Sequence, residues 1–382
     1  DDAGRDELLM GMHMDMPGHT RSSGASLQAI GAARGPGQLT MRLEVLNTLD
    51  HADMLMRPDN ASPMYLLTWP DVRSRSVSLW SELVQVRGAL RASLNGRLET
   101  ARMEALNNQG VRQLQLSQPG APSGRSDWPA SLGLALDWEV QPTLNTGLSL
   151  GWSRRAPSTT EAFGYYLYVA SDGYLYSGDP LLKQEQSVQL EWRTAWKSGP
   201  LDFRITLWHS EMLDWITGQP DPGEVPVPFA RGWKRFANSG RARLQGLELH
   251  LRRALPGHWN LQGSGTLQHG WRVADGDPLA GMSPPSGRVS LSHERSRWSW
   301  LLELRGAAGR THPSRLGQEE ARAGFAVLQT RVELQAGSRL HLSLAVDNLL
   351  DRSYREASDW GSPLRPGRTL QFRLQYSGSN RF

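Results

Sequence analysis

Arg368-Thr369-Leu370-Gln371-Phe372-Arg373-Leu374-Gln375-Tyr376-Ser377-Gly378-Ser379-Asn380-Arg381-Phe382 closes the chain. Its even positions run Leu370, Phe372, Leu374, Tyr376, Gly378, Asn380, Phe382, and its odd positions include Gln371, Arg373, Gln375 and Arg381. That is a period of two, apolar on one face only. A strand that ends a chain frays, and its apolar face needs a partner layer, unless that face looks into lipid and both edges are paired. Closing a barrel against the chain's own earlier strands meets both conditions. Taken alone, the stretch also fits the edge strand of a soluble sandwich.

Composition leaves the barrel open. The 382 residues are 38% hydrophobic, with 39 Gly and 23 Pro, and the mean hydropathy of −0.49 is that of a polar protein. No run reaches the roughly 18 apolar residues of a membrane helix. Barrels alternate lipid-facing with lumen-facing residues, so their average is polar and each segment's signal is weak. The absence of cysteine removes thiol chemistry, disulfides and thiolate metal sites. Fifteen Trp and eight Tyr against seven Phe favour amphipathic aromatics of the kind found at membrane interfaces. The net charge is +4, and among the basic residues only Lys183, Lys197 and Lys234 are lysine. Charges are scattered along the chain, which argues against a nucleic-acid partner. Opening at Asp1 without an initiator Met or apolar leader, the chain reads as the later part of a longer precursor.

Residues 1–37 read as a Met/His-rich loop segment. Met10 to His19 is Met-Gly-Met-His-Met-Asp-Met-Pro-Gly-His, followed by Ser22-Ser23-Gly24-Ala25, and no period organises it. From about 38 to 382 the chain is a succession of alternating segments. Leu39, Met41, Leu43 and Val45 share one parity; so do Leu132, Leu134, Leu136 and Trp138, and Val188, Leu190 and Trp192 against Gln189, Glu191 and Arg193. Leu340, Leu342 and Leu344 alternate with His341 in the same way. About fourteen strands are predicted, most of roughly 10–14 residues, the length a tilted membrane strand needs. Short turns near 141–142, 197–200, 255–257, 295–297 and 336–338 alternate with polar loops at 104–127, 154–182, 216–238, 272–284, 306–322 and 350–366, an arrangement in which one rim carries the short turns.

Four stretches carry a family likeness. Arg154-Arg155-Ala156-Pro157-Ser158 running into Glu161, then Gly178-Asp179-Pro180-Leu181-Leu182-Lys183-Gln184-Glu185-Gln186-Ser187, resemble a signature of TonB-dependent outer-membrane receptors. Asn238-Ser239-Gly240 with Gln245-Gly246-Leu247-Glu248, Val346-Asp347-Asn348-Leu349-Leu350-Asp351-Arg352-Ser353-Tyr354, and Arg365-Pro366-Gly367-Arg368 are similar to three further motifs of that family, in the same order. Asp179 stands where the family has Asn and Leu350 where it has Phe. The terminal Phe382 resembles the ending that outer-membrane assembly machinery reads. The resemblance, which covers about Val77 to Phe382, implies an all-β fold: an antiparallel transmembrane β-barrel, of which about fourteen strands of a larger barrel are present and from which the N-terminal plug domain and TonB box are absent. It implies a ligand-gated importer in the outer membrane of a Gram-negative cell and no enzyme. Its implied partners are outer-membrane lipid and lipopolysaccharide, the TonB complex through a plug not present in this chain, and a metal or metal-chelate ligand.

One segment suggests the ligand. Thioether sulfur is soft and imidazole borderline, so clustered Met and His suit copper, Cu(I) above all, better than hard cations. Met10, Met12, His13, Met14, Met16 and His19 are the candidate metal ligands, with His51, Met54 and Met56 as a second set about one hairpin later. The same set is similar to the Met- and His-containing segments of TonB-dependent copper receptors. No cofactor is required, and copper enters as the transported ligand. A Met-rich loop that binds nothing is the plain alternative. Ferric-siderophore import is the other cargo to weigh, needing aromatic and Arg groups from the loops at 154–182 and 216–238; a passive porin is a further one. Gly147-Leu148-Ser149-Leu150-Gly151 matches the serine-hydrolase expression, but it lies inside an alternating strand, where a nucleophile elbow needs a strand-turn-helix corner. Arg154 and Glu161 read as rim or lumen charges.

Overall fold

A computed structural model describes residues 12–33, 35–58, 62–222, 230–357 and 363–377. Met10 and the closing residues 378–382, Phe382 included, lie outside the described residues. The strands run β1 (Met12–Asp15), β2 (Gly18–Ala33), β3 (Gly37–Pro58), β4 (Met64–Arg87), β5 (Leu90–Ala105), β6 (Gly124–Asp127), β7 (Ala130–Gln141), β8 (Leu144–Arg155), β9 (Leu167–Val169), β10 (Tyr174–Ser177) and β11 (Glu185–Ser198). They continue with β12 (Leu201–Leu213), β13 (Ile216–Pro220), β14 (Trp233–Asn238), β15 (Ala242–Leu255), β16 (Trp259–Arg272), β17 (Ser286–Glu294), β18 (Trp298–Ala307), β19 (Phe325–Gln335), β20 (Leu340–Asp347) and β21 (Thr369–Tyr376). Two helices, α1 (Asn108–Ser117) and α2 (Thr159–Phe163), are the only ones among the described residues outside the strands.

The described strands are antiparallel to their neighbours, apart from one parallel pair, and most of them belong to a single hydrogen-bonded sheet. Fifteen described strands have eight residues or more, against the predicted fourteen. Each short turn falls within a residue or two of its predicted place, between β7 and β8, β11 and β12, β15 and β16, β17 and β18, and β19 and β20.

The amino-terminal segment departs from expectation. Residues 1–37 read as loop, yet β1 and β2 occupy much of it, and β2 pairs with β3 without interruption from Gly18–Ala52 to Ala33–Gly37. The reason is that ladder hydrogen bonds need only backbone, so Thr20 to Ala32, small and polar with almost no apolar stripe, is held by its partner strand. The boundary at residues 37 and 38 therefore cuts a hairpin, and β3 continues through His51, Met54 and Met56 to Pro58.

The chain divides into two compact units. One comprises 1–136, 149–189 and 211–242, and the other 137–148, 190–210 and 243–382. In the first, Leu27, Leu43, Leu79 and Leu98 stand opposite one another on four successive strands and are 44–73% exposed. The next position along carries Gln28, Arg42, Trp80 and Arg97, where Arg42 donates to Gln28 at 2.8 Å and Arg97 pairs with Glu44 at 3.0 Å. One face is thus apolar and open and the other polar and cross-linked. In water such an exposed apolar band would be far larger than soluble monomers carry; in hydrocarbon it is the solvated face.

The second unit repeats this. Trp300, Val332, Leu344 and Phe372 are opposite one another across β18 to β21, while Ser299, Glu333, Ser343 and Arg373 form the neighbouring row on the other face. His341 pairs with Gln375 on the polar side, and Leu342 with Leu374 on the apolar side, as the alternation predicts. In the β11–β12 region Arg193 bonds Asp137 at 2.5 Å and Glu191 at 3.2 Å, so Glu191 and Arg193 share a polar face away from Leu190 and Trp192.

Candidate functional site

The candidate metal ligands gather around one stretch of β3 in the first unit. β1 pairs with β3 so that Met12 faces Pro58, His13 Arg57, Met14 Met56 and Asp15 Leu55 in register. Beyond the break at Met16-Pro17, β2 brings His19 opposite His51. Backbone positions from two clusters 32 to 42 residues apart in sequence are therefore side by side, as two arms of one hairpin must be. The Pro17 carbonyl accepts the Asp53 N–H at 3.2 Å, which holds the break against β3. The Asp15–Arg57 ion pair at 2.9 Å does the same for β1.

Strand alternation then sorts the second set. Met54 and Met56 are fully buried, in an apolar cluster with Val72, Val111, Leu114, Phe163, Leu175 and Trp233. His51 is on the opposite face of β3, where its ring centroid is 4.9 Å from that of His19. Its Nδ1 is 2.9 Å from the Asp71 carboxylate and its Nε2 3.7 Å from Asp53. The Tyr65 hydroxyl donates to Asp53 at 3.0 Å, and the Asn107 amide to Asp71 at 3.2 Å. Sequence reading missed Asp53, Asp71, Tyr65 and Asn107. Asp71 sits at a bulge with φ +51, a position no periodicity marks. Met16 and His19 are exposed, so the accessible soft donors described here are Met16, His19 and His51. Among the described residues no three His, Asp or Glu converge on one cation position.

The described parts of the predicted loops at 104–127, 154–182 and 216–238 are folded. β9, β10, β13 and β14 form a separate four-stranded sheet, with β10 and β14 parallel and the other pairs antiparallel. α1 is capped by the Asn107 side chain, which accepts from the Gln109 and Gly110 N–H groups. Its buried Val111 and Leu114 join the cluster around Met54. Tyr166 takes φ +58 and is buried edge-on against Trp233, at 5.2 Å between centroids. Burial pushes its hydroxyl pKa up to about 12. Lys234, 1% exposed, bonds the buried Asp172 at 2.6 Å and lies 4.4 Å from the Tyr174 ring. Tyr176 donates to the same Asp172 at 2.6 Å, and its hydroxyl is held well above its ordinary value by burial and by that carboxylate.

The motifs turn out to be the attachment points of these connections. Arg155, not Arg154, pairs with Glu161 at 2.7 Å and with Glu185 at 3.0 Å. Arg154 instead donates to the Trp128 carbonyl. Ser158 and Glu161 form a capping box that starts α2. Burial pushes the Glu161 carboxyl up, but the Arg155 guanidinium and the Ser158 N–H outweigh it and hold the carboxyl below its usual range. Gly178 donates to the Gly164 carbonyl, and a Cβ there would lie 2.7 Å from the Ala162 backbone. The Asn238 side chain accepts from the Lys183 N–H and donates to the Lys183 and Asp214 carbonyls.

In the second unit Asn348, at φ +50, accepts from the Arg352 N–H and donates to the Arg352 and Pro366 carbonyls. Asp351 accepts from the Arg368 N–H, and Arg305 reaches the Tyr354 hydroxyl at 2.7 Å. A Cβ on Gly367 would meet the Asp351 carboxylate at 2.6 Å. Ser149 of the hydrolase-like match lies within β8, as an alternating strand requires.

An antiparallel wall with one apolar and one polar face, short turns, and long connections pinned by Arg–Glu and Asn contacts defines a class of membrane barrel. The family model described as TonB dependent receptor-like, beta-barrel, matches residues 19–349, and the chain belongs to that family of Gram-negative outer-membrane receptors. No curated protein sequence matches. Among solved structures the chain is similar to the copper transporter OprC, with TM-score 0.78 and 19% identity over 97% of this chain and 58% of that one. It is similar also to the ferric yersiniabactin uptake receptor FyuA from Yersinia pestis, with TM-score 0.69 and 14% identity over 96% and 55% of the two chains. The ferric citrate transporter FecA in its unliganded form follows, with TM-score 0.70 and 14% identity over 96% and 56%. The chain spans little more than half the length of each.

Proposed function

We propose that this chain is the wall of an outer-membrane importer energised through TonB and that its cargo is copper. The apolar faces of β2–β5 and β16–β21 meet lipid and lipopolysaccharide, and the polar faces line the passage. TonB engages a plug outside these residues. The observation that carries the cargo reading is the register of β1 and β2 against β3, which sets Met14 beside Met56 and His19 beside His51. Imidazole and thioether are both donors for Cu(I), and the described candidate donors that are not buried are Met16, His19 and His51. His19 and Met16 are reachable from outside, while Met54 and Met56 line the apolar layer beneath. The likeness to the copper transporter OprC supports the same cargo.

Ferric-siderophore import is the second reading, favoured by the likeness to FyuA and FecA. It would draw on aromatics of the long connections, but Tyr165, Tyr166 and Trp233 are buried in the apolar cluster. The test is a Cu(I) competition titration of the full-length receptor against a variant with Met12, His13, Met14 and Met16 changed to Ser. Tenfold or greater loss of affinity in the variant supports copper. Equal affinity, or no copper binding while a ferric siderophore raises the unfolding temperature, overturns it.

A further inference from the structure

We infer that the polar face of β18–β21 carries a binding site for small multivalent oxyanions, carboxylate or phosphate, next to the short-turn rim. A cavity of about 620 Å³ opens there. Its lining brings together Arg295, Arg297, Arg331 and Arg373, with His341 and the single carboxylate Glu333. Register fixes the arrangement. Glu333 is opposite Ser299 on β18 and Ser343 on β20, Ser343 is opposite Arg373 on β21, and Arg331 is one pleat away on the same face as Glu333. Arg297 is tied to that row through its carbonyl, which accepts the Gln335 N–H at 2.7 Å. The four guanidinium groups are exposed, and none has a carboxylate within ion-pair distance among the described residues.

That shortfall of acid is local. In the adjoining cavity of about 610 Å³, which shares Arg331 and Glu333 with the first, the four arginines are matched by four carboxylates, Asp202, Glu294, Glu303 and Glu333, and Asp202 pairs with Arg204 at 2.9 Å. A guanidinium is a planar fork suited to bidentate contact with carboxylate or phosphate, and several converging in a concavity attract a multivalent oxyanion. Arg-lined constrictions favour anions and oppose cations. If the polar face lines the import path, a consequence that rests on the function proposed above, copper passes this rim as an anionic chelate rather than as a bare ion.

Binding itself is measured without import. The full chain in detergent micelles is titrated calorimetrically with citrate and, separately, with inorganic pyrophosphate at low ionic strength. The expected result is saturable binding of at least one of them, weakened tenfold or more in Arg331→Gln/Arg373→Gln and unchanged in Arg204→Gln. Far-ultraviolet circular dichroism of the three proteins confirms that each is folded. No saturable binding to the wild type, or equal affinity in the double variant, overturns the site. Binding of citrate alone marks the site as selective for carboxylate; binding of pyrophosphate also extends it to phosphate. Neither result depends on whether copper is the cargo.

Discussion

Lys234 is where the balance of forces within a single residue is most exposed. A buried ammonium is tolerable only with its charge matched and its protons used, and Asp172 with the faces of Tyr174 and Tyr176 supplies both. Removing one partner of such a pair leaves an uncompensated buried charge and costs about 3–5 kcal/mol, whereas replacing both by apolar groups is often nearly neutral. Lys234→Met is therefore expected to open the β10–β14 contact, read as loss of hydrogen-exchange protection at Leu175, whose N–H donates to Gly232. Lys234→Met/Asp172→Leu should recover most of that protection. A double variant no better protected than the single one would mean that the charge pair does not hold this sheet. The sequence showed Lys234 only as one of three lysines. Its role depends on a parallel pairing between residues about 60 positions apart, which no local pattern reports.

At the scale of elements, the long strands were legible and the connections were not. A strand with one face in lipid and one in a polar interior repeats every second residue, so Leu340 to Val346 and Leu370 to Tyr376 declare themselves. β2 did not, because its hydrogen bonds are supplied by β3 and its side chains are small and polar. The described parts of the connections at 154–182 and 216–238 are held by contacts with each other, with α1 and with β3 and β4, distant in sequence, so their short strands carry no period long enough to read. The motif residues were legible as a resemblance, but their chemistry came from geometry: Arg155 between two glutamates, Asn238 and Asn348 each satisfying several backbone groups.

The connection at 272–284 is held to that at 306–322 in the same fashion. Asp277, 1% exposed, accepts from the Arg315 and Leu316 N–H groups, the Arg315 side chain and the Ser314 hydroxyl. Burial pushes its carboxyl up, but these donors outweigh it and hold it below the ordinary value of 3.8. A carboxyl whose folded pKa is lowered contributes stability that is present above its unfolded pKa and is lost as pH falls through the folded one. The Arg315 and Leu316 amides should thus be protected from exchange at pH 5 and 7, become labile only below about pH 4, and be labile at every pH in Asp277→Asn. Protection that persists in the variant would place the restraint elsewhere.

For the molecule as a whole, the chemistry of the faces sets what the wall can do. One face is apolar and exposed, the other carries charge, and at one end of β3 the rings of His19 and His51 lie 4.9 Å apart between centroids. The composition anomaly at Met10 to His19 was visible from the start, but its pairing with His51 to Met56 was not, because register is a property of the hairpin and not of either segment. The separation of Met54 and Met56 from His51 likewise follows from alternation once the strand is known to continue to Pro58. The most direct test is copper uptake itself. Cells deleted for the gene encoding this chain are complemented with the full gene or with its His19→Ala/His51→Ala variant, and accumulation of radiolabelled copper is measured with surface expression matched. The expected result is accumulation restored by the full gene and reduced several-fold in the variant. Copper accumulation independent of the gene, or equal in the two complemented strains, would contradict it.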